Sequence, residues 1–362
     1  MIVAGTRPEL VKLAPVALAL RADGRLPVTF CHSGQHPDLG HDVLGAMGIA
    51  ADARLVRPAG SDLGDLLGGL IATLGAAMER VAPRAAVVQG DTATTLAGTI
   101  AAFHRRIPVA HVEAGLRSGD MAQPWPEEGY RRLVSPLARW HFAPTAAAKT
   151  ALEREGIAAG QIEMVGNTVI DALHRALRAL DADLAPDRCA AIEAGEEERP
   201  LALATIHRRE IGRKALAAIA DGLARLVRDE GLRLVVPLHP RSESAVLRDR
   251  LAGIAGITLT GPLDYLAFVR MMRAARLIVS DSGGVVEEAT ALGRPVLVLR
   301  EATERPEAVE VGSARMVGHY PAALLAAARL ALAAPMPAPS AVFGDGRASE
   351  RIAARLAADL LG

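Results

Sequence analysis

The chain has 362 residues, of which 51% are hydrophobic, and its 41 Lys and Arg residues balance 41 Asp and Glu residues. This length exceeds that of a typical single core and predicts two domains. The charge balance leaves no basic field for nucleic acid. The sequence predicts no membrane span and no leader peptide. The only two cysteines, Cys31 and Cys189, lie far apart and outside any metal-binding or redox motif. We expect both to be buried as small hydrophobic side chains in a reducing cytoplasm.

The first half alternates apolar runs with helical patterns. The opening MIVAG and the following TRPELVKL predict a strand, a turn and a helix that begins near Thr6 and carries Arg7 and Glu9 at its start. A helix start beside an arginine is a natural anion site, although a capped helix with surface charges explains the same residues. A second predicted strand, LPVTFCHSG, leads to Gln35 and His36.

Two carboxylates follow consecutive predicted strands, since Asp91 comes after AAVVQG and Glu113 comes after IPVAHV. Parallel strands end at one edge of a sheet, so both residues should lie at that edge. The segment from His111 to Arg132 adds Glu127 and Arg131, with a tryptophan and two prolines among the charges. The apolar tryptophan and the rigid prolines favour a loop with a defined conformation that is partly buried. Acid/base chemistry is one interpretation of these carboxylates, and helix caps or loop anchors are the other.

The alternation of strand and helix restarts near Arg199 and continues through a second block. The pattern predicts an α/β fold with two Rossmann-like doubly wound domains and an active site in the cleft between them. We place the N-terminal domain at residues 1–168 and the C-terminal domain at residues 169–348. The amphipathic helix at 349–362 is predicted to pack back on the first domain.

A glycine-containing turn marks the second block. Asp281, Ser282, Gly283 and Gly284 follow an apolar strand and precede a helix. Glycines allow close approach of a ligand to backbone N–H groups, and a helix start favours phosphate. Glu288 lies about one turn into this helix. Its carboxylate could accept hydrogen bonds from ribose hydroxyls, or its charge could interact only with the helix dipole.

Two histidines, His207 and His239, also follow strands of the second block. Neither has the spacing of a metal-ligand motif, and two cysteines cannot complete a zinc site. The dinucleotide fingerprint GxGxxG is absent. We therefore predict neither a metal nor another cofactor.

Together these motifs resemble the non-hydrolysing UDP-N-acetylglucosamine 2-epimerases over almost the whole chain. The family's fold is the two-domain arrangement that GT-B glycosyltransferases also use. The motifs that carry the resemblance are GTRPE at 5–9, SGQH at 33–36, QGDTATT at 89–95, HVEAGLRSGD at 111–120, PWPEE at 124–128, GNTVIDA at 166–172, HRRE at 207–210, HP at 239–240, PLDYLAF at 262–268, DSGGVVEEA at 281–289 and TERPE at 303–307.

The resemblance implies inversion at carbon 2 of the sugar without a redox cofactor. UDP leaves by anti elimination as the proton at carbon 2 is removed, and UDP adds back to the 2-acetamidoglucal after reprotonation on the other face. Asp91, Glu113 and Glu127 match the acid/base carboxylates, whose crowding should separate their pKa values. His207 matches the residue that neutralises the departing diphosphate.

Other positions match the family's binding residues. Those around UDP and its phosphates are Arg7, Lys12, His207, Ser282, Gly283, Gly284 and Arg305. Glu288 matches the residue that holds the ribose, and Phe268 matches the one beside the uracil. The positions that we assign to the sugar side or to regulation are Gln35, His36, Arg131, Arg209 and His239. The family also implies a homodimer.

The chain departs from the family at four amide positions, which read Tyr130, Ile211, Arg241 and Val286. These changes predict altered substrate detail or altered regulation around an intact catalytic core. Alternatives are a hydrolysing epimerase that releases N-acetylmannosamine, an epimerase of specialised metabolism acting on a related UDP-sugar, a GT-B glycosyltransferase, and a nucleotide-sugar binder without turnover.

Overall fold

The computed structural model describes residues 1–36, 40–60, 62–182, 199–207, 211–239 and 244–362. The predicted site residue Arg209, and Arg241 among the departures, lie outside these ranges. Contacts divide the chain into two compact units, Met1–Arg175 with Phe343–Gly362, and Ala176–Val342. Among the described residues, no helix is long and apolar enough to cross a membrane.

The first unit contains a parallel seven-stranded sheet in the order β3-β2-β1-β4-β5-β6-β7. Its five inner strands are buried throughout, as expected when helices cover both sides of a parallel sheet, whereas the edge strands β3 and β7 are partly exposed. The strands are β1 Ile2–Ala4, β2 Phe30–His32, β3 Ala53–Arg54, β4 Ala86–Gln89, β5 Val109–Val112, β6 Trp140–Ala143 and β7 Ile162–Met164. The helices between and after them are α1 Arg7–Asp23, α2 His41–Ala46, α3 Leu63–Val81, α4 Ala93–Phe103, α5 Glu127–Val134, α6 Ala146–Arg154 and α7 Thr168–Asp181.

The second unit contains a parallel six-stranded sheet in the order β10-β9-β8-β11-β12-β13. The strands are β8 Leu201–Thr205, β9 Arg233–Pro237, β10 Ile257–Thr260, β11 Leu277–Ser280, β12 Val296–Val298 and β13 Ala314–Met316. The described helices are α8 Arg213–Glu230, α9 Ser244–Leu251, α10 Tyr265–Ala274, α11 Gly283–Ala291, α12 Pro306–Glu310 and α13 Pro321–Ala333.

The predicted α/β class with two doubly wound parallel sheets is confirmed. In each unit the strand order reverses once, between β1 and β4 in the first and between β8 and β11 in the second. Ligands of open α/β sheets bind beyond the carboxyl ends of the strands at this point. The turns after these four strands are therefore where the chemistry of each unit is expected.

The last helix, α14 Ala348–Leu361, belongs to the first unit and packs against α1. Asp171 of α7 accepts hydrogen bonds from the backbone N–H groups of Ser349 at 2.7 Å and Ala348 at 3.3 Å. A carboxylate from another helix thus caps the start of α14. The unit boundary lies within α7, and the boundary predicted after residue 168 lies at the start of the same helix.

We predict that Asp171→Ala lowers the free energy of unfolding by about 1–2 kcal/mol, because two N–H groups at the start of α14 lose their acceptor. Chemical denaturation of the intact protein measures this change. Asp181→Ala, which removes an exposed ion pair with Arg273 at the end of the same helix, is the matched control and should cost about 0.5 kcal/mol or less. Equal losses in the two variants would contradict the capping role.

Candidate functional site

The turn after β1 is tightly packed and requires glycine at position 5. A Cβ atom on Gly5 would lie 2.0 Å from Oγ of Ser33 and 2.3 Å from Oγ1 of Thr94. Gln35 also binds Thr94: its Oε1 accepts from the Thr94 backbone N–H at 2.9 Å and from the Thr94 hydroxyl at 2.7 Å. The His36 N–H donates to the Gly5 carbonyl at 2.9 Å. The sequence assigns Gln35 and His36 to the sugar side or to regulation. In the structure, both residues form hydrogen bonds that stabilise this turn.

Glu9 connects the turns after β1 and β4. Its Oε2 accepts from the N–H groups of Gly5 at 3.0 Å and Thr6 at 2.7 Å, and its Oε1 accepts from the Thr92 hydroxyl at 2.7 Å. The bond from the Thr6 N–H to Glu9 is one half of the capping box of α1. Burial raises the pKa of the Glu9 carboxyl, while the hydrogen bonds act in the opposite direction. The sequence placed Glu9 at a helix start but did not reveal this link between two turns.

Glu113 lies at the exit of β5 and is bound from three sides. Lys12 Nζ donates to both of its oxygens at 2.6 Å, Asn167 Nδ2 donates to Oε1 at 2.9 Å, and Gln89 Nε2 donates to Oε2. Lys12 and Glu113 are both buried. Glu113 also has a φ of 60°, a conformation that side chains other than glycine seldom adopt and that is found most often at functional sites.

This arrangement gives Lys12 a role that the sequence did not predict. The resemblance assigned Lys12 to UDP and its phosphates, whereas in the structure its ammonium contacts a carboxylate. A cation at 2.6 Å from both oxygens favours the ionised form of Glu113. Gln89 and Asn167 lie inside motifs that carried the resemblance, but nothing in the sequence indicated that they share one carboxylate.

Asp91, at the exit of β4, is held by Arg131 from α5. The guanidinium contacts Asp91 Oδ2 through Nε at 2.7 Å and Nη2 at 2.6 Å, and it donates through Nη1 to Oε2 of Glu128 at 3.2 Å. Glu128 is fully buried and also accepts from the Ser118 N–H at 3.0 Å. Arg131 therefore joins α5 to the exit of β4.

Glu127 begins α5, one helical turn before Tyr130. The Tyr130 ring packs partly buried against the core of the first unit. Burial raises the pKa of the Tyr130 phenol, and the charge of Glu127 raises it further. The residue that replaces the family's usual amide is thus close enough to Glu127 to share its electrostatic environment. Arg7 forms an ion pair with Asp42 at 3.2 Å, in which both side chains are about one-third exposed.

His111 supports the same edge from inside the sheet. Its Nε2 lies 2.7 Å from the Gly90 carbonyl, so Nε2 carries the proton and donates. Burial lowers the pKa of His111 to about 4, which keeps the ring neutral at physiological pH. His111 thereby fixes the turn that carries Asp91.

In the second unit, His207 after β8 is held by Asp281 after β11. The backbone N–H of His207 donates to Asp281 Oδ2 at 2.8 Å, and its ring Nδ1 lies 3.0 Å from Oδ1. The strands are also joined by the hydroxyls of Thr205 and Ser280, 2.7 Å apart. Asp281 is fully buried, whereas the His207 ring is about half exposed. The carboxylate thus orients the imidazole, a role that a turn motif alone does not predict.

The start of α11 lies against the guanidinium of Arg305. A Cβ atom on Gly283 would lie 2.2 Å from Arg305 Nη1, so only glycine allows this approach. Arg305 Nε donates to Glu287 Oε1 at 2.7 Å, which fixes the guanidinium. Ser282 is the N-cap residue of α11. A cation beside a helix start is well suited to a phosphate group.

Beyond these turns, Glu288 of α11 accepts a hydrogen bond from the Tyr265 hydroxyl at 2.8 Å. Phe268 lies half-buried on the same helix as Tyr265. A pocket of about 300 Å³ lies at the ends of β9 and β10, and its lining includes His239, Arg248 and Pro262. Within the described ranges, no group of three or more His, Cys, Asp or Glu side chains could hold a metal ion.

Comparisons with known proteins agree on one family. The family model described as UDP-N-acetylglucosamine 2-epimerase matches residues 18–357. A Ralstonia solanacearum protein described as a probable UDP-N-acetylglucosamine 2-epimerase is 42% identical over 363 residues, which cover 97% of this chain and 96% of that protein. The crystal structure of UDP-GlcNAc 2-epimerase from Neisseria meningitidis, bound to UDP-GlcNAc, matches with a TM-score of 0.94 at 36% identity and covers 98% of both chains. The Methanocaldococcus jannaschii UDP-GlcNAc 2-epimerase, in complex with UDP-GlcNAc and UDP, matches with a TM-score of 0.89 at 34% identity and also covers 98% of both chains.

The neutral, buried state of His111 predicts a pH dependence of stability. Because its pKa falls from 6.5 to about 4 on folding, the unfolded chain binds the extra proton first as the pH drops. The contribution of His111 is therefore complete above about pH 6.5 and is lost toward pH 4, with a slope of about 1.4 kcal/mol per pH unit. Urea unfolding at pH 6.5 and pH 5 should show a smaller difference in His111→Gln than in the parent. An equal difference in both proteins would contradict the prediction.

Proposed function

Because the chain belongs to the UDP-N-acetylglucosamine 2-epimerase family, we propose that it interconverts UDP-N-acetylglucosamine and UDP-N-acetylmannosamine by inverting carbon 2 of the sugar. The observation that carries this proposal is the Glu113 carboxylate at the exit of β5, which is bound by Lys12 of α1 and lies one strand away from the point where the order of the first sheet reverses. The substrate bound in the Neisseria structure supports the choice of nucleotide sugar.

The chemistry explains why such a carboxylate is needed. The proton at carbon 2 is not next to a carbonyl, so it becomes acidic only as the bond between carbon 1 and the diphosphate oxygen breaks. In the proposed elimination, a carboxylate takes this proton, a double bond forms between carbons 1 and 2, and UDP departs with the bonding electron pair. Reprotonation of the 2-acetamidoglucal on its other face and re-addition of UDP complete the inversion.

Asp91, Glu113 and Glu127 are the residues that we propose to take and return the proton. The ionised form of Glu113, favoured by Lys12, is the form that can accept it. Asp91 is oriented by Arg131, and Glu127 is the first residue of α5, the helix that also carries Arg131. Fixed orientation matters because proton transfer requires the carboxylate within hydrogen-bond reach of carbon 2.

The second unit offers groups suited to the nucleotide. We propose that His207, oriented by Asp281, and Arg305, at the start of α11, neutralise the charge that grows on the departing diphosphate. Ser282, Gly283 and Gly284 would present the N–H groups of the helix start. Glu288 would accept from the ribose hydroxyls, and Phe268 would contact the base.

We extend the proposal to a cytoplasmic homodimer. The first unit exposes large apolar side chains, including Phe103, Trp125 and Leu133, each more than half exposed, and a partner copy that covered them would remove apolar surface from water. The replacement of the family's amide by Tyr130 beside Glu127 supports a difference in substrate detail or regulation from other members.

Incubation with UDP-N-acetylglucosamine in D2O, followed by NMR, tests the proposal. We expect UDP-N-acetylmannosamine to appear with deuterium at carbon 2, because the proton removed exchanges with solvent. Free N-acetylmannosamine with UDP would instead identify a hydrolysing epimerase, and transfer only after addition of an acceptor would identify a glycosyltransferase. An epimer that retains its proton would exclude the elimination route.

Two variants test whether the Glu113 carboxylate takes part in the epimerisation. Glu113→Gln should reduce the epimerisation rate by about 100-fold or more, since removal of a positioned acid/base group typically costs that much. Glu153→Gln is the matched control, because Glu153 lies on α6 of the same unit and pairs only loosely with Lys149 at 3.8 Å. Equal activity in both variants would exclude Glu113 from the reaction.

A further inference from the structure

The hydrogen bond between Tyr265 and Glu288 joins two buried side chains from different helices. The phenol donates to Glu288 Oε1 at 2.8 Å, and each residue is only 4% exposed. Tyr265 is the first residue of α10, whose start is fixed by Asp264 through a 2.8 Å bond to the Ala267 N–H. The hydroxyl is therefore presented to α11 from a well-anchored position.

Two consecutive glutamates of α11 are held by different partners. Glu287 is bound by Arg305 at 2.7 Å, and Glu288 is bound by Tyr265. The side chains of neighbouring helix residues are about 100° apart around the helix axis, so the two carboxylates point in different directions. The cation that we place beside the diphosphate contacts Glu287, whereas Glu288 accepts from an uncharged donor, the Tyr265 hydroxyl.

We propose that Tyr265 is a positioning residue that orients Glu288 toward the ribose and thereby sets the preference of the protein for ribonucleotides over deoxyribonucleotides. The inference rests on the proposed function, in which Glu288 accepts from the ribose hydroxyls. It adds the residue that determines how well Glu288 can do so.

The physical argument is one of preorganisation. An ionised carboxylate can accept about four hydrogen bonds, so a bond from Tyr265 occupies one position and holds the group in place for others. A glutamate side chain loses considerable rotamer freedom when it is fixed, and a bond made before the ligand arrives removes that cost from binding. Without the phenol, a larger share of the cost of ordering the carboxylate falls on ribose binding.

Isothermal titration of the full-length protein with UDP and with 2′-deoxy-UDP tests the proposal. The parent should bind UDP about tenfold more tightly than 2′-deoxy-UDP, as expected for a hydrogen bond to a charged acceptor. In Tyr265→Phe the affinity for UDP should fall about five- to tenfold, whereas that for 2′-deoxy-UDP should change about twofold or less. The ratio of the two affinities therefore falls, which a general loosening of the fold would not produce.

Two further variants separate the ways in which the proposal can fail. Tyr320→Phe removes an exposed phenol that donates to Glu301 at 3.3 Å in the same unit, and it should leave both affinities unchanged. Glu288→Gln should reduce the ratio at least as much as Tyr265→Phe.

Failure of the parent to bind UDP would overturn the proposed function itself. A reduced ratio in Glu288→Gln with an unchanged ratio in Tyr265→Phe would overturn the role of Tyr265 alone. Equal losses of UDP and 2′-deoxy-UDP affinity in Tyr265→Phe would identify a merely structural contact and would also overturn it.

Discussion

The Lys12 ammonium and the Glu113 carboxylate are both withdrawn from water, and each stabilises the buried charge of the other at 2.6 Å. Removing one partner of such a pair typically costs about 3–5 kcal/mol. Asn167 and Gln89 satisfy further lone pairs of the carboxylate. Helix α1, the ends of β4 and β5 and the start of α7 therefore meet at one point, and the geometry of the first unit's site depends on it.

The second unit follows the same physical rule with different groups. Asp281 is buried beneath His207, Glu287 is buried against Arg305, and Glu288 is buried against Tyr265. In each case a buried carboxylate fixes, or is fixed by, a side chain from another element. Groups held in this way need little rearrangement when a ligand arrives, which is the condition for strong electrostatic stabilisation of a reacting molecule.

The doubly wound fold and the placement of Asp91 and Glu113 were predictable, because apolar runs mark the strands and parallel strands end at one edge. The partners of these residues were not. Glu113 is 101 positions from Lys12 and 54 from Asn167, and no local pattern reports which distant side chains share a carboxylate. Glu9 was recognised only as a helix-start residue, because its bond to Thr92 depends on how two turns pack.

The cap that Asp171 places on α14 has a consequence for synthesis of the chain. The first unit is assembled from both ends of the sequence, whereas the second is one continuous segment. Domains generally fold as they leave the ribosome. All residues of the second unit are therefore synthesised before the first unit is complete. Until α14 has been synthesised, Asp171 lacks the N–H groups of that helix, and the surface of α1 that α14 covers stays exposed.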